Sequence, residues 1–329
     1  MCGIVGLFLK DQRLEPELGA LFGPMLVAMQ ERGPDSAGFA VYRNPVPDGS
    51  LKLTLHHPDE AFAWEEIVEG LGAHLGNVVE FDVLATHAVC VLDGSEAAAR
   101  EWLSANHPGV RITSAGRSIE IFKEEGPPAE FVERFAVRSI SGSHAIGHTR
   151  MATESAVTTE HSHPFSTGLD LCLVHNGSLS NHNRLRAGLR QVGVVFETDN
   201  DSEVAAGYLT QRMRTGASLD QALESSLRDL DGFFTFAVGT HDGFAVLRDG
   251  IACKPAVLAE TDQWVGMASE YRSLAHLPNA EDARIWEPAP APVSTMIRQP
   301  AATSFLTVSG VAATRASPAR RSLSTPICI

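Results

Sequence analysis

Cys2 stands directly behind the initiator in Met1-Cys2-Gly3-Ile4-Val5-Gly6. Removal of Met1 would leave a thiol and a free α-amine on one residue. An α-amine has an ordinary pKa of about 7.7–8.0, so part of it is neutral near pH 7. It can take the thiol proton directly or through one water, so nucleophile and general base come from a single residue. The apolar residues that follow, Ile4, Val5, Leu7 and Phe8, read as a buried strand that would hold that residue still. An isolated Met-Cys start is commonly incidental, so its weight depends on the polar segments further along the chain.

Five such segments lie beside apparent strands or helix starts: Arg32-Gly33-Pro34-Asp35-Ser36-Ala37-Gly38, Gly147-His148-Thr149-Arg150-Met151-Ala152-Thr153, His161-Ser162-His163-Pro164-Phe165, Val174-His175-Asn176-Gly177-Ser178, and Glu197-Thr198-Asp199-Asn200-Asp201-Ser202-Glu203. Asn176-Gly177 offers a side-chain amide and an unhindered backbone N–H, two donors suited to a tetrahedral oxyanion; Asn-Gly is also a common hairpin turn. Arg150 at a strand end can hold a carboxylate bidentately, or serve a structural ion pair. Asp201 can hold an ammonium group, or cap the helix that follows. His161, His163 and His175 do not show metal-site spacing.

The supporting elements follow from periodicity. Residues 3–9, 36–43 and 51–56 read as strands, and 15–31 as an amphipathic helix that Pro24 should kink or shift. Between about 59 and 130 the pattern becomes helix (59–75), strand (78–92), helix (95–105) and two short strands (110–113 and 118–122), closed by Gly126-Pro127-Pro128. This block reads as a small α/β insertion with its own core. The main body resumes with strands at 143–149 and 169–175, and helices at 181–191, 202–214 and 218–229. It ends in strands at 232–239, 243–248, 255–259 and 264–268, the first two joined at Thr240-His241-Asp242-Gly243. Strands at both ends with helices between them suggest two sheets packed face to face under helices. From 288 to 329 Pro, Ala, Ser and Thr dominate, a composition expected to be disordered.

Taken in order, Met-Cys-Gly-Ile-Val-Gly, Arg-Gly-Pro-Asp-Ser-Ala-Gly, Gly-His-Thr-Arg, His-Pro, His-Asn-Gly and Asp-Ser-Glu resemble the signature of class II glutamine amidotransferases, which are N-terminal nucleophile hydrolases. Arg248-Asp249, Lys254-Pro255 and Ala268-Ser269-Glu270 extend the likeness. The resemblance implies an α+β fold, the four-layer αββα sandwich, over residues 2–287 with the insertion at 59–130. It also implies roles by position. Cys2 would attack the glutamine side-chain amide, and Asn176 and Gly177 would form the oxyanion hole. Arg150 would bind the α-carboxylate and Asp201 the α-amino group, with Asp199 as the competing candidate. Thr153 and His163 would line the pocket, and Arg32 and Gly33 would shape its edge.

Composition narrows the surroundings. The net charge of −14 argues against nucleic acid. No apolar run reaches 18 residues and no signal-like leader is present, so no membrane span and a cytoplasmic location are expected. The five cysteines are odd in number and widely spaced, which opposes a disulfide framework, a zinc ribbon or an iron–sulfur cluster in this chain. Cys90, Cys172 and Cys253 read as core. No metal or cofactor is expected here. The segment His-Thr-Arg-Met-Ala-Thr-Glu-Ser and the long insertion look most like stand-alone amidotransferase subunits related to glutamate synthase, such as those of N-methylglutamate synthases. That likeness implies a separate glutamate-synthase-like partner holding FMN and an iron–sulfur cluster. A non-catalytic subunit of the same fold and a hydrolase for another amide are the alternatives.

Overall fold

The computed structural model describes residues 2–76, 78–152, 157–290, 294–298 and 307–308. Two sheets lie face to face, and every strand pairing among the described residues is antiparallel. The first sheet has seven strands, in the order Arg284–Trp286, Val257–Glu260, Trp264–Ala268, Gly3–Leu9, His144–Arg150, Ser36–Tyr42, Ile119–Glu125. The second has six, in the order Thr307–Val308, Ser294–Arg298, Gly243–Arg248, Gly232–Thr240, Leu171–Leu179, Phe165–Gly168.

Alternation along the strands builds the layers, because successive side chains leave a strand on opposite faces. Ile4, Phe8, Ala40, Tyr42 and Ile146 meet Cys172, Val174, Ala237, Phe244 and Val246 between the sheets. Val5, Leu7, Leu9, Phe39 and Val41 face outward onto the helices Leu18–Val27 and Pro128–Arg134. On the far side Leu171, Leu173, Phe234 and Phe236 pack on the helices Asp201–Arg214 and Leu219–Asp229. The result is the four-layer αββα sandwich of an α+β protein. Pro24 sits within Leu18–Val27, and a short 3₁₀ turn, Gln12–Glu17, precedes that helix. The helix expected at 15–31 thus runs over Leu18–Val27 with Pro24 inside it.

A third, four-stranded sheet has the order Val78–Leu84, His87–Asp93, Ser50–His56, Arg111–Gly116. The helices Trp64–Leu75 and Glu96–Asn106 cover it, around Leu53, Leu55, Ile67, Cys90 and Leu103. The insertion therefore runs from about 50 to 116, not 59 to 130. Strand Ser50–His56 pairs within it. Strand Ile119–Glu125 joins the main sheet instead, pairing with Ser36–Tyr42. Ile119 and Ile121 enter the inter-sheet core, and Phe122 enters the helix-facing one. The single strand expected at 78–92 is a hairpin that turns at Ala85, whose φ is +52°. No glycine or proline marks that turn in the sequence.

Two further expectations are corrected. Cys253 is exposed, on the loop after the turn at Asp249; Cys90 and Cys172 are buried, and burial pushes both thiols up to about 12. Within the segment from 288 onward, Ser294–Arg298 is a strand paired to Gly243–Arg248. Its Ile297 is buried between the sheets and Met296 packs on the helix side. Composition missed this because two apolar residues and an open strand edge suffice. Ile297→Ala should cost about 2–4 kcal/mol in urea unfolding; a change near zero would show that this strand contributes nothing to the core.

Candidate active site

Side-chain parity brings the polar motifs to one end of the gap between the sheets. Cys2 shares its face with Ile4 and Phe8, Arg150 with Ile146, and Asn176 with Cys172 and Val174, all of which point inward. Cys2 is half-buried. Its Sγ lies 3.4 Å from the Met151 backbone N–H and 3.7 Å from the Met151 carbonyl. Its carbonyl oxygen accepts from Arg32 Nε at 3.0 Å and from Asn176 Nδ2 at 3.1 Å.

Each of those two donors is itself held. A guanidinium nitrogen of Arg32 meets Glu270 Oε1 at 2.7 Å, and Arg272 Nε takes Glu270 Oε2 at 2.7 Å. Asn176 Oδ1 accepts from His148 Nε2 at 3.1 Å. An amide oxygen can only accept, so His148 carries its proton on Nε2. Burial pulls its pKa down to about 3, keeping the ring neutral. Ser269 Oγ accepts from the Ile4 backbone N–H at 2.9 Å and lies 3.3 Å from Asn176 Nδ2. The strand carrying Cys2 and the strand carrying Asn176 are thereby fastened to the same hydroxyl.

The Arg-Gly-Pro-Asp loop and the His-Thr-Arg-Met loop are stitched together. Asp35 N–H donates to the Arg150 carbonyl at 3.1 Å, and Asp35 Oδ2 accepts from the Ala152 N–H at 2.7 Å. Gly33 permits the contact: a Cβ there would lie 2.3–2.5 Å from backbone atoms of Thr149 and Arg150. Arg150 is buried, which pulls its pKa down, while the Cys2 and Asp35 charges act the other way. Gly177 has φ +146°, and a Cβ there would stand 2.0 Å from the Phe233 carbonyl oxygen. Only glycine fits.

Asp201 is the first residue of its helix, not the cap. Asn200 caps it by accepting from the Ser202 N–H at 2.9 Å. Asp201 Oδ2 instead accepts from the Leu179 N–H at 2.8 Å, at the end of the strand that carries Asn176 and Gly177. Asp199 is exposed and pairs with His161 Nε2 at 2.9 Å. His163 is buried, with its ring centroid 4.0 Å from that of His148. Neither of its ring nitrogens has a hydrogen-bond partner among the described residues. Thr153 lies outside the described residues.

The structure thus joins Cys2, Arg32 and Asn176 directly, with Gly33 packed against Arg150 beside them. Gly177 and Asp201 are linked through one strand, and His163 through His148. Sequence reasoning assigned no role to His148, Asp35, Ser269 or Glu270, although all four lie within motifs it singled out.

Residues 148–276 match the model of a family described as a glutamine amidotransferase domain. The glutamine amidotransferase-like protein GlxB of Rhizobium meliloti is 56% identical over 303 residues, 92% of this chain and 100% of its own length. A relative from Methanothermobacter thermautotrophicus is 34% identical over 284 residues, 83% of this chain and 93% of its own. The structure of glutamine phosphoribosylpyrophosphate amidotransferase from B. subtilis, complexed with ADP and GMP, shares the fold with a TM-score of 0.57. That likeness holds at 20% identity over 90% of this chain and 47% of the other. The sandwich is thus that of the N-terminal nucleophile hydrolases. The chain belongs to the class II glutamine amidotransferase family.

Burial holds His56, His144 and His148 down to about 4, 4 and 3. Unfolded imidazoles titrate near 6.5, so the unfolded chain takes these protons first as pH falls. The stability from neutral burial is complete above about 6.5 and is lost as pH drops towards 4. Urea unfolding should show a steep decline from pH 7 to pH 5; a flat profile would contradict neutral burial.

Proposed function

We propose that this chain hydrolyses L-glutamine through a Cys2 thioester and passes the ammonia to a separate synthase subunit. The observation that carries the reading is the convergence on Cys2: Asn176 Nδ2 and Arg32 Nε on its carbonyl, and the Met151 N–H beside its sulfur. Once Met1 is removed, the α-amine takes the thiol proton. Sγ attacks the side-chain amide carbon, and the oxyanion is met by Asn176 Nδ2 and the Gly177 N–H. Collapse expels ammonia, which carries the transferred proton, and leaves a γ-glutamyl thioester. Water then breaks the C–S bond and restores the thiol, giving glutamate. Both tetrahedral states use the same donors.

Arg150 receives the α-carboxylate and Asp201 the α-ammonium. His163 and Thr153 form the pocket wall, and Arg32 with Gly33 its edge. A buried guanidinium and an anchored carboxylate match the opposite charges of an α-carboxylate and an α-ammonium, which a plain amide lacks.

The ammonia acceptor is taken to lie on another subunit. By the resemblance of the segment from His148 to Ser155, that subunit is glutamate-synthase-like and holds the FMN and the iron–sulfur cluster, in the cytoplasm. No helix among the described residues is long and apolar enough to cross a membrane.

Glutamate release from glutamine by the purified chain, with Met1 removal read from intact mass, tests the chemistry. Cys2→Ala should abolish turnover. Asn176→Ala should lower kcat by about 10²–10³-fold. Retained hydrolysis in Cys2→Ala would rule the mechanism out.

A further inference from the structure

The loop between the helices His182–Gln191 and Asp201–Arg214 presents Asp201, and has no regular structure over 192–200. Its last residues are held from three sides. Glu203, one turn into the helix, reaches back to accept from the Glu197 and Thr198 N–H groups, both at 2.8 Å. Arg186 from the preceding helix donates to the Thr198 and Asn200 carbonyls. The third anchor comes from the insertion. Arg100 on the helix Glu96–Asn106 meets Glu197 Oε1 at 2.6 Å, and Arg111 on the strand Arg111–Gly116 meets Oε2 at 3.3 Å.

Arg111 also reaches Glu160 Oε1 at 3.7 Å, in the segment leading to His163. The two pocket segments are further tied to each other through His161 and Asp199, and through Asn200 Nδ2 to the His161 carbonyl at 3.4 Å. Beneath this junction lies a cavity of 280 Å³, lined by both arginines, Glu197, Glu160 and Lys123. The insertion therefore meets the pocket segments across a void, at this end of the fold, through ion pairs.

We propose that Arg100 and Arg111 are positioning residues for the glutamine site, acting through Glu197 to fix the loop that presents Asp201. The inference rests on the glutaminase reading above. Neither arginine touches substrate. Each restricts a loop that would otherwise have to be ordered when the α-ammonium binds, so the effect falls on affinity. The side chains of Arg100, Arg111 and Glu197 are 35%, 40% and 32% exposed, so salt should weaken the brace.

The test is calorimetric binding of L-glutamine to the Cys2→Ser chain at low and high salt, with steady-state kinetics on the Cys2 enzyme. Arg100→Met combined with Arg111→Met should weaken Kd by about threefold to tenfold at low salt, and remove most of its salt dependence. In the Cys2 enzyme KM should rise while kcat stays within about twofold. The matching lysine pair should recover most of the affinity. Glu197→Gln should reproduce the loss, and carries the test if the double variant does not fold. Unchanged affinity and unchanged salt dependence in a folded variant would overturn the brace while leaving the glutaminase reading intact. A Cys2→Ser chain that binds no glutamine at all would overturn both.

Discussion

A residue near a chain end has little covalent support on one side, and termini fray unless they are tied down. The rest of this molecule answers that constraint. Strand Gly3–Leu9 lies inside the seven-stranded sheet and is paired on both flanks, to His144–Arg150 from Gly3 onward and to Trp264–Ala268 from Val5 onward. Ladder bonds end before Cys2 on the second flank, and there Ser269 takes over by accepting from the Ile4 N–H and donating its own backbone N–H to Ile4. Gly3 has no room for a side chain: a Cβ would stand 2.7 Å from Met29 Cβ and 2.8 Å from Thr149 Oγ1. The terminus is thus pressed between a helix end and the neighbouring strand.

The same period of two that makes the core makes the site. On the strand Leu171–Leu179, Cys172 and Val174 fill the gap between the sheets, and the next residue on that face, Asn176, reaches Cys2. On the opposite face Leu171 and Leu173 pack under the helices, and His175 there bonds Ser202 Oγ at 2.9 Å. One short run therefore contributes to both sides of the second sheet. Buried imidazoles suit these places because they remain neutral there and still direct a single N–H, as His148 does toward Asn176.

Strands and helices with a clear period were legible, and so were the residues grouped in motifs. Legibility failed where local pattern leaves the partner undetermined. Ile119–Glu125 and Ser50–His56 each carry apolar residues on one face and polar ones on the other, so the local pattern does not say which sheet each joins; the first pairs with Ser36–Tyr42 and also buries Phe122 on its other face, and the second pairs with His87–Asp93. The strand Ser294–Arg298 is hidden in a Pro, Ala and Ser-rich stretch because its binding comes from an open edge rather than its own composition. At the site, Cys2, Asn176 and Arg150 were readable as chemistry. Ser269 and Glu270 were not given roles, since a serine or a glutamate that orients another residue has no local mark. Their use appears only when Ile4, Asn176 and Arg32 come to lie beside them.

The acidic run from Glu197 to Glu203 shows how surroundings divide labour among like residues. Four carboxylates gather at one helix N-terminus, where the dipole favours them but their mutual repulsion does not. Each is turned a different way. Glu197 goes to Arg100 and Arg111 of the insertion, Asp199 out to His161, Glu203 back onto the N–H groups of Glu197 and Thr198, and Asp201 to the Leu179 N–H. Glu197 and Glu203 hold the loop directly. Asp201 has the Leu179 N–H on one oxygen, and on the other the Ser202 hydroxyl at 3.3 Å and His175 Nδ1 at 3.9 Å. What separates Asp201 from Asp199 is where the helix begins and which strand end it meets: Asp201 lies against the strand that carries Asn176 and Gly177, whereas Asp199 is exposed beside His161.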